Sequence, residues 1–111
     1  MNLMTVDGHI AKIEYDPDRD MFRGEILGLN GGADFWGRNP EELRREFRLS
    51  LSIFLDTCRR KGIEPYRKYS GRLLLRIPPE LHARAIATAE AAGKSLNAWL
   101  REIMDEATKA A

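Results

Sequence analysis

Arg72, Leu74 and Arg76 stand at alternate positions and carry the most specific chemistry in this chain. A guanidinium offers paired donors that match O6 and N7 of guanine, whereas a leucine can meet only an apolar group such as a thymine methyl. Leu73, Leu75 and Ile77 fall between and just after them. A period of two predicts a strand with one apolar and one mostly polar face. Pro78 and Pro79 stop it, and helical periodicity follows at once. So short a strand cannot satisfy its own backbone or bury its own apolar side within one chain. A second copy paired antiparallel would place Leu73, Leu75 and Ile77 in a shared core. Arg72, Leu74 and Arg76 would then form an outer row, the arrangement in which a β-ribbon reads the major groove. The competing reading is an edge strand guarded by charge. Leu74 in the middle of the row predicts modest base specificity.

Ser95 and Asn97 open the last helix, with Lys94 just before it. Free N–H groups at a helix N-terminus accept phosphate readily. Ser95 also suits ordinary capping, and the two roles are compatible. Leu96, Trp99, Leu100, Ile103, Met104 and Ala107 recur at helical spacing, and Leu96, Trp99 and Leu100 complete the expected dimer core.

Other chemistry is weaker. Asp16, Asp18 and Asp20 have the spacing that opens a calcium loop. However, Met21 and Leu27 stand where that loop needs glycine and glutamate, so an acidic turn is expected. Glu14, Glu25 and Asp34 invite a nuclease reading, but two-metal cleavage needs carboxylates that converge on ions ~3.5–4 Å apart. Glu14 alternates against Ile13 and Tyr15 and should be solvated. His9 and His82 lack partner motifs, and Cys58 falls on an apolar stripe. No enzyme, cofactor or metal is expected.

Three strands and a helix are predicted ahead of the ribbon. Ile10–Tyr15 and Met21–Leu27 form a hairpin around the Asp16–Asp20 turn, and Ala33–Trp36 is a third strand. Asn39, Pro40, Glu41 and Glu42 mark a helix start; Arg59, Arg60, Lys61 and Gly62 mark its end. Leu43, Phe47, Leu51, Phe54, Leu55 and Cys58 make its inner stripe, with Leu49 and Ile53 roughly opposite. The expected organisation is α+β: a β-β-β-α unit over 1–64, a linker over 65–70, and a strand-helix-helix unit over 71–111. Leu81, Ala85, Ile86 and Ala89 form the inner face of the first helix in that last unit, and residues 108–111 are expected to fray.

The net charge of +1 conceals an asymmetry. Residues 1–43 hold four Lys/Arg and nine Asp/Glu, whereas residues 44–76 hold ten Lys/Arg and three Asp/Glu. An acidic first part and a basic middle suggest two kinds of partner. No apolar run is long enough to span a membrane. Asp7, Gly8 and His9 interrupt any signal-peptide core, and a single cysteine suits a reducing cytoplasm.

With these pieces in place, the chain resembles the HicB antitoxin family, in the branch with a C-terminal ribbon-helix-helix domain. The resemblance rests on Ile13–Asp16, Phe22–Ile26, Phe35, Gly37, Glu41–Leu43, Phe47, Cys58, Gly62, Pro65, Tyr69–Gly71, Arg76–Pro78, Glu80–His82 and Ser95–Asn97, in family order. It implies a partial RNase H-like first unit that blocks a HicA-like mRNA-cleaving toxin. It also implies a second unit that binds the operator of its own genes as a homodimer or higher oligomer, in the cytoplasm and on the nucleoid. Phe35 matches the inward family position, so Trp36 should face outward. Trp36, Leu49 and Ile53 are therefore candidate contacts for toxin or another antitoxin copy. The alternative is a stand-alone ribbon-helix-helix regulator with no toxin, which a small neighbouring reading frame would discriminate. A nuclease is the enzyme-class alternative.

Overall fold

A computed structural model describes residues 2–109. The chain divides into two compact units, Met1–Tyr69 and Ser70–Ala111. The first holds a four-stranded antiparallel sheet in the order β1-β2-β3-β4, with β1 Leu3–Val6, β2 His9–Asp16, β3 Met21–Ile26 and β4 Asp34–Gly37. One helix, α1 Pro40–Lys61, follows. The second unit holds α2 Pro79–Ala91 and α3 Leu96–Lys109.

The expected three-stranded sheet is therefore corrected to four strands. β1 and β2 close a two-residue hairpin in which Val6 faces His9, and both Asp7 (φ 50°) and Gly8 (φ 79°) adopt positive φ. Asp-Gly between two apolar stretches is a strong local signal for this turn, because its twist matches that of the flanking strands. Asp7 and Gly8 had been read only as interruptions of an apolar run.

The β2–β3 loop is an Asx turn. Asp16 Oδ1 accepts from the amides of Asp18 (2.9 Å) and Arg19 (3.4 Å), and Asp20 accepts a 2.6 Å hydrogen bond from the Tyr15 hydroxyl. These carboxylates are engaged in holding the turn, as the sequence predicted.

The ends of α1 follow its sequence closely. Asn39 is extended (φ −151°, ψ 168°) and its side chain accepts from the Glu42 amide at 2.8 Å; Pro40 needs no donor there. At the other end Ile63 N donates to Cys58 O (2.9 Å) and Gly62 N to Arg59 O (3.4 Å), a Schellman closure around left-handed Gly62.

Leu43, Phe47, Leu51 and Cys58 are buried on the inner face of α1, with Phe54 and Leu55 partly so. Leu43, Phe47 and Leu51 share one core cluster with Val6, Ala11, Ile26 and Phe35 of the sheet, and Phe54 and Leu55 pack against it. The Phe35 and Phe47 ring centroids are 4.9 Å apart. The Phe35 ring lies directly over Gly24, its register partner, where a Cβ would come within 2.1 Å of Cζ. Gly24 is thus the floor of an aromatic slot and is required by close approach.

Among the described residues of the second unit only Ala85 and Ala89 are buried. Leu81 and Ile86, expected on the inner face of α2, are 39% and 37% exposed, and no residue of α3 is buried. α3 runs to Lys109 without fraying at Thr108: Thr108 Oγ1 donates to Met104 O (2.7 Å), and Lys109 pairs with Asp105 (3.0 Å). Ala110 and Ala111, also expected to fray, lie outside the described residues.

Candidate nucleic-acid and protein interfaces

Residues 72–78 form no strand within the chain, since no ladder partner is present for them. Leu73 is 72% exposed, Leu74 82% and Leu75 56%, while Ile77 is half-buried. Exposed leucines on both parities leave a bare segment next to helices whose apolar positions are also largely open. Leu96, Trp99 and Leu100 are half-buried, and Ile103 and Met104 are exposed. So much apolar surface on so small a unit marks an interaction surface.

Arg72 and Arg76 are exposed at either end of this segment. Ahead of them, Ser70 Oγ accepts from the Arg72 amide at 3.0 Å and Gly71 turns the chain at φ 80°. Before α3, Ser95 Oγ accepts from the Ala98 amide at 3.1 Å, so Ser95 caps as expected. Asn97 is exposed in the first turn. Lys94 is paired with Glu102 of α3, so an incoming phosphate would compete with that carboxylate.

In the first unit, Trp36, Leu49 and Ile53 line one open groove with Asp34, Phe35, Glu46 and Ser50. Leu49 and Ile53 are 54% and 58% exposed, and Trp36 is half-buried with the Arg19 guanidinium 4.4 Å above its ring. The groove runs along the free edge of β4. Ile26 N donates to Ala33 O, so in this antiparallel register Ala33, Phe35 and Gly37 direct their peptide groups at β3. Asp34 and Trp36 turn theirs outward. Asp34 O is taken by Ser50 Oγ (3.0 Å), which leaves the Asp34 and Trp36 amides and the Trp36 carbonyl on the edge. An open edge beside exposed apolar side chains suits the addition of a partner strand.

The sheet face away from α1 is a charged ladder. Arg23 donates twice to Asp34 Oδ2 (2.5 and 3.1 Å) and stands 3.9 Å from Glu25; Lys12 and Glu14 pair at 2.9 Å. The hydrogen bond from Lys12 holds the Glu14 carboxyl below its ordinary range, and the bond to Asp34 raises the Arg23 guanidinium above its own. These carboxylates are spread along the face and interleaved with cations. Among the described residues no three His, Cys, Asp or Glu side chains gather to hold a metal. Cys58 is buried in the core stripe, and His82 is exposed in the first turn of α2.

One feature escaped the sequence reading. Glu64–Arg67, assigned mostly to a linker, lies against Gly28–Asn30. Asn30 N donates to Pro65 O (2.8 Å), Arg67 N to Gly28 O (3.1 Å), Asn30 Nδ2 to Glu64 O (3.1 Å) and Arg67 Nε to Leu29 O (3.0 Å). His9 stacks on Tyr66 with centroids 5.7 Å apart, and its Nε2 lies 2.9 Å from the Tyr66 hydroxyl. His9 Nδ1 faces Asp7 O at 3.0 Å. A carbonyl can only accept, so neutral His9 carries its proton on Nδ1 and accepts from Tyr66 at Nε2. These contacts join residues 57 positions apart, and no local pattern signals them.

The architecture has two parts: a sheet-and-helix unit with an open groove, and a helical unit preceded by an unpaired segment. Residues 54–104 match the model of the HicB family. The match begins at Phe54 in α1 and ends at Met104 in α3 and so covers somewhat less than half of the chain. It contains the ribbon segment and the Lys94–Asn97 turn, and it excludes Trp36, Leu49, Ile53 and the whole sheet. Searches of curated proteins and of solved structures found no match. No helix among the described residues is long and apolar enough to cross a membrane.

Proposed function

We propose that this chain is the antitoxin of a HicB-type toxin–antitoxin pair and represses its own operon. It acts by binding and performs no catalysis. The observation that carries the proposal is the unpaired segment Arg72–Ile77 inside the family match, with three leucines more than half exposed. In this reading two copies pair their segments antiparallel into a ribbon and fold together as a ribbon-helix-helix dimer. Leu73, Leu75 and Ile77 enter the shared core with Leu96, Trp99 and Leu100. Arg72 and Arg76 meet base edges of double-stranded operator DNA, Leu74 makes an apolar contact, and the Lys94–Asn97 turn touches phosphate.

The first unit is a partial RNase H-like fold that docks a HicA-like ribonuclease. Trp36, Leu49 and Ile53 are its contact, because they combine exposed apolar area with the free β4 edge. The site of action is the cytoplasm and, on the operator, the nucleoid.

The test is co-expression with the adjacent gene, pull-down through the antitoxin, and binding to a duplex from upstream of its own gene. A small co-purifying ribonuclease, inhibited in the complex, is expected. Leu49→Asp with Ile53→Asp should lose that protein at least tenfold while keeping the duplex. Retention of the toxin by the double variant would move the docking face elsewhere. Arg76→Ala should weaken duplex binding by ~1–3 kcal/mol and relax specificity at one position of each half-site. Unchanged affinity in that variant removes the ribbon from base readout.

A further inference from the structure

β1 forms the second edge of the sheet, opposite β4. Val6 and His9 flank the Asp7–Gly8 turn, and Ile13 N donates to Asn2 O at 2.8 Å. In that register Asn2, Met4 and Val6 direct their peptide groups at β2. Leu3 and Thr5 turn theirs outward and leave an open row of amides and carbonyls.

α1 runs beside this edge, with a hollow at each end. One, of about 410 Å³, lies between Leu3, Met4, Ile13 and Phe22 of the sheet and Pro40 and Leu43 of the helix, with Arg38 beside them. The other, of about 260 Å³, lies between Asp7 and the helix residues Arg48, Leu51, Ser52, Leu55 and Arg59. The first is lined mainly by apolar groups, and the second carries two guanidinium groups. Arg44, Arg48 and Arg59 share this flank of α1 by helical spacing, and all three are exposed. Glu41 shares it too, at the apolar end. Asp7 already sets a carboxylate 3.5 Å from Arg48 Nε, so the basic end accepts an acidic group. The other flank of α1 differs: Leu49 and Ile53 line the β4 groove with the carboxylates of Asp34 and Glu46. The two edges of the sheet are thus bordered by opposite charge.

We propose that the β1 edge is a second docking site, which takes an extended acidic segment of a partner protein. The segment pairs its backbone with Leu3 and Thr5, seats an apolar side chain over Met4 and Leu43, and brings carboxylates to Arg48 and Arg59. A peptide fits this edge better than a nucleic acid, because phosphate oxygens accept and would leave the Leu3 and Thr5 carbonyls unmatched. All of these groups lie within the first unit, Met1–Tyr69. The site is separate from the β4 groove and from the operator ribbon, and it depends on neither reading.

The test selects random peptides of about eight residues, which span roughly 26 Å when extended, against immobilised full-length protein. Sequences that alternate apolar residues with Asp or Glu and lack proline are expected to enrich. An enriched peptide should slow hydrogen exchange at the Leu3 and Thr5 amides. Arg48→Glu with Arg59→Glu should weaken it roughly tenfold or more through like-charge repulsion. Thr5→Pro removes one outward donor and leaves the β1–β2 ladder intact, so it should weaken the peptide as well. Both variants should keep the wild-type melting temperature and the captured toxin. Enrichment of Lys- or Arg-rich sequences, or of none, overturns the proposal. Unchanged exchange at Leu3 and Thr5, or full binding by the charge-reversed variant, overturns it too. Loss of the toxin by a folded charge-reversed variant would give this edge to the toxin and remove the separate site. If Thr5→Pro melts early, the exchange measurement on wild-type protein decides in its place.

Discussion

Leu75→Lys is expected to abolish self-association of the second unit and operator binding while leaving the first unit's melting transition unchanged. Leu75 is 56% exposed within one chain, so a monomer gains little from it and loses little without it. Any large effect must pass through a second copy. Burying a leucine side chain contributes about 1.5–3 kcal/mol, and a symmetric dimer buries two, so the loss is about 3–6 kcal/mol before the cost of burying an ammonium. That is roughly a hundredfold to ten-thousandfold in the dimer dissociation constant. Sedimentation equilibrium across a dilution series measures it. Leu74→Lys is the control, since Leu74 has the opposite parity and faces away from the proposed seam. Loss of the dimer with Leu74→Lys and retention with Leu75→Lys would reverse the assignment of the two faces.

Gly24→Val is expected to collapse the first unit and leave the second intact. A Cβ at Gly24 would sit 2.1 Å from Phe35 Cζ and within 2.5 Å of both Cε atoms. The ring cannot retreat easily, because Phe47, fully buried, packs against it at 4.9 Å. Overpacking of this kind costs about 1–3 kcal/mol for a methyl-sized intrusion, and valine adds a branch to it. In a domain of this size each kcal/mol lowers the melting temperature by roughly 4–8 °C. Toxin capture should fall with the fold, while the operator duplex is still bound through the second unit. Gly24→Ala is the milder variant for the case in which valine yields no folded first unit. A wild-type melting temperature for Gly24→Ala would mean that the Phe35 ring has another place to lie.

These two positions differ in how far the sequence reveals them. The hydrophobic parity of Leu73, Leu75 and Ile77 is visible in a line of text, and the structure adds that Leu73 and Leu75 are largely exposed while Ile77 is half-buried. Gly24 reads as one more small residue in a strand; only the register that sets it beside Phe35 shows why nothing larger fits. The α1 helix was legible at both ends because caps act over three to five residues: Asn39 on Glu42, Gly62 and Ile63 on Arg59 and Cys58. β1 carried an equally local mark in Asp7 and Gly8 and was missed by reading them as breaks instead of as a turn. Of the candidate contacts, Trp36, Leu49 and Ile53 are brought to one groove, a juxtaposition that helical and strand parity suggested without supplying the edge of β4. The docking of Glu64–Arg67 was illegible for a different reason. Its partners are backbone groups of Gly28–Asn30 and a histidine 57 residues away, and backbone pairing leaves little trace in side-chain type.

The Arg19 guanidinium over the Trp36 indole has an optical consequence. The chain has two tryptophans, and they fall one in each unit, Trp36 on β4 and Trp99 on α3. A partner seated along β4 would disturb the cation above Trp36, whereas the proposed dimer would cover the half-buried Trp99. Intrinsic emission therefore divides into two channels. Trp36→Phe silences the first and reports self-association, Trp99→Phe silences the second and reports partner capture, and neither needs an attached dye.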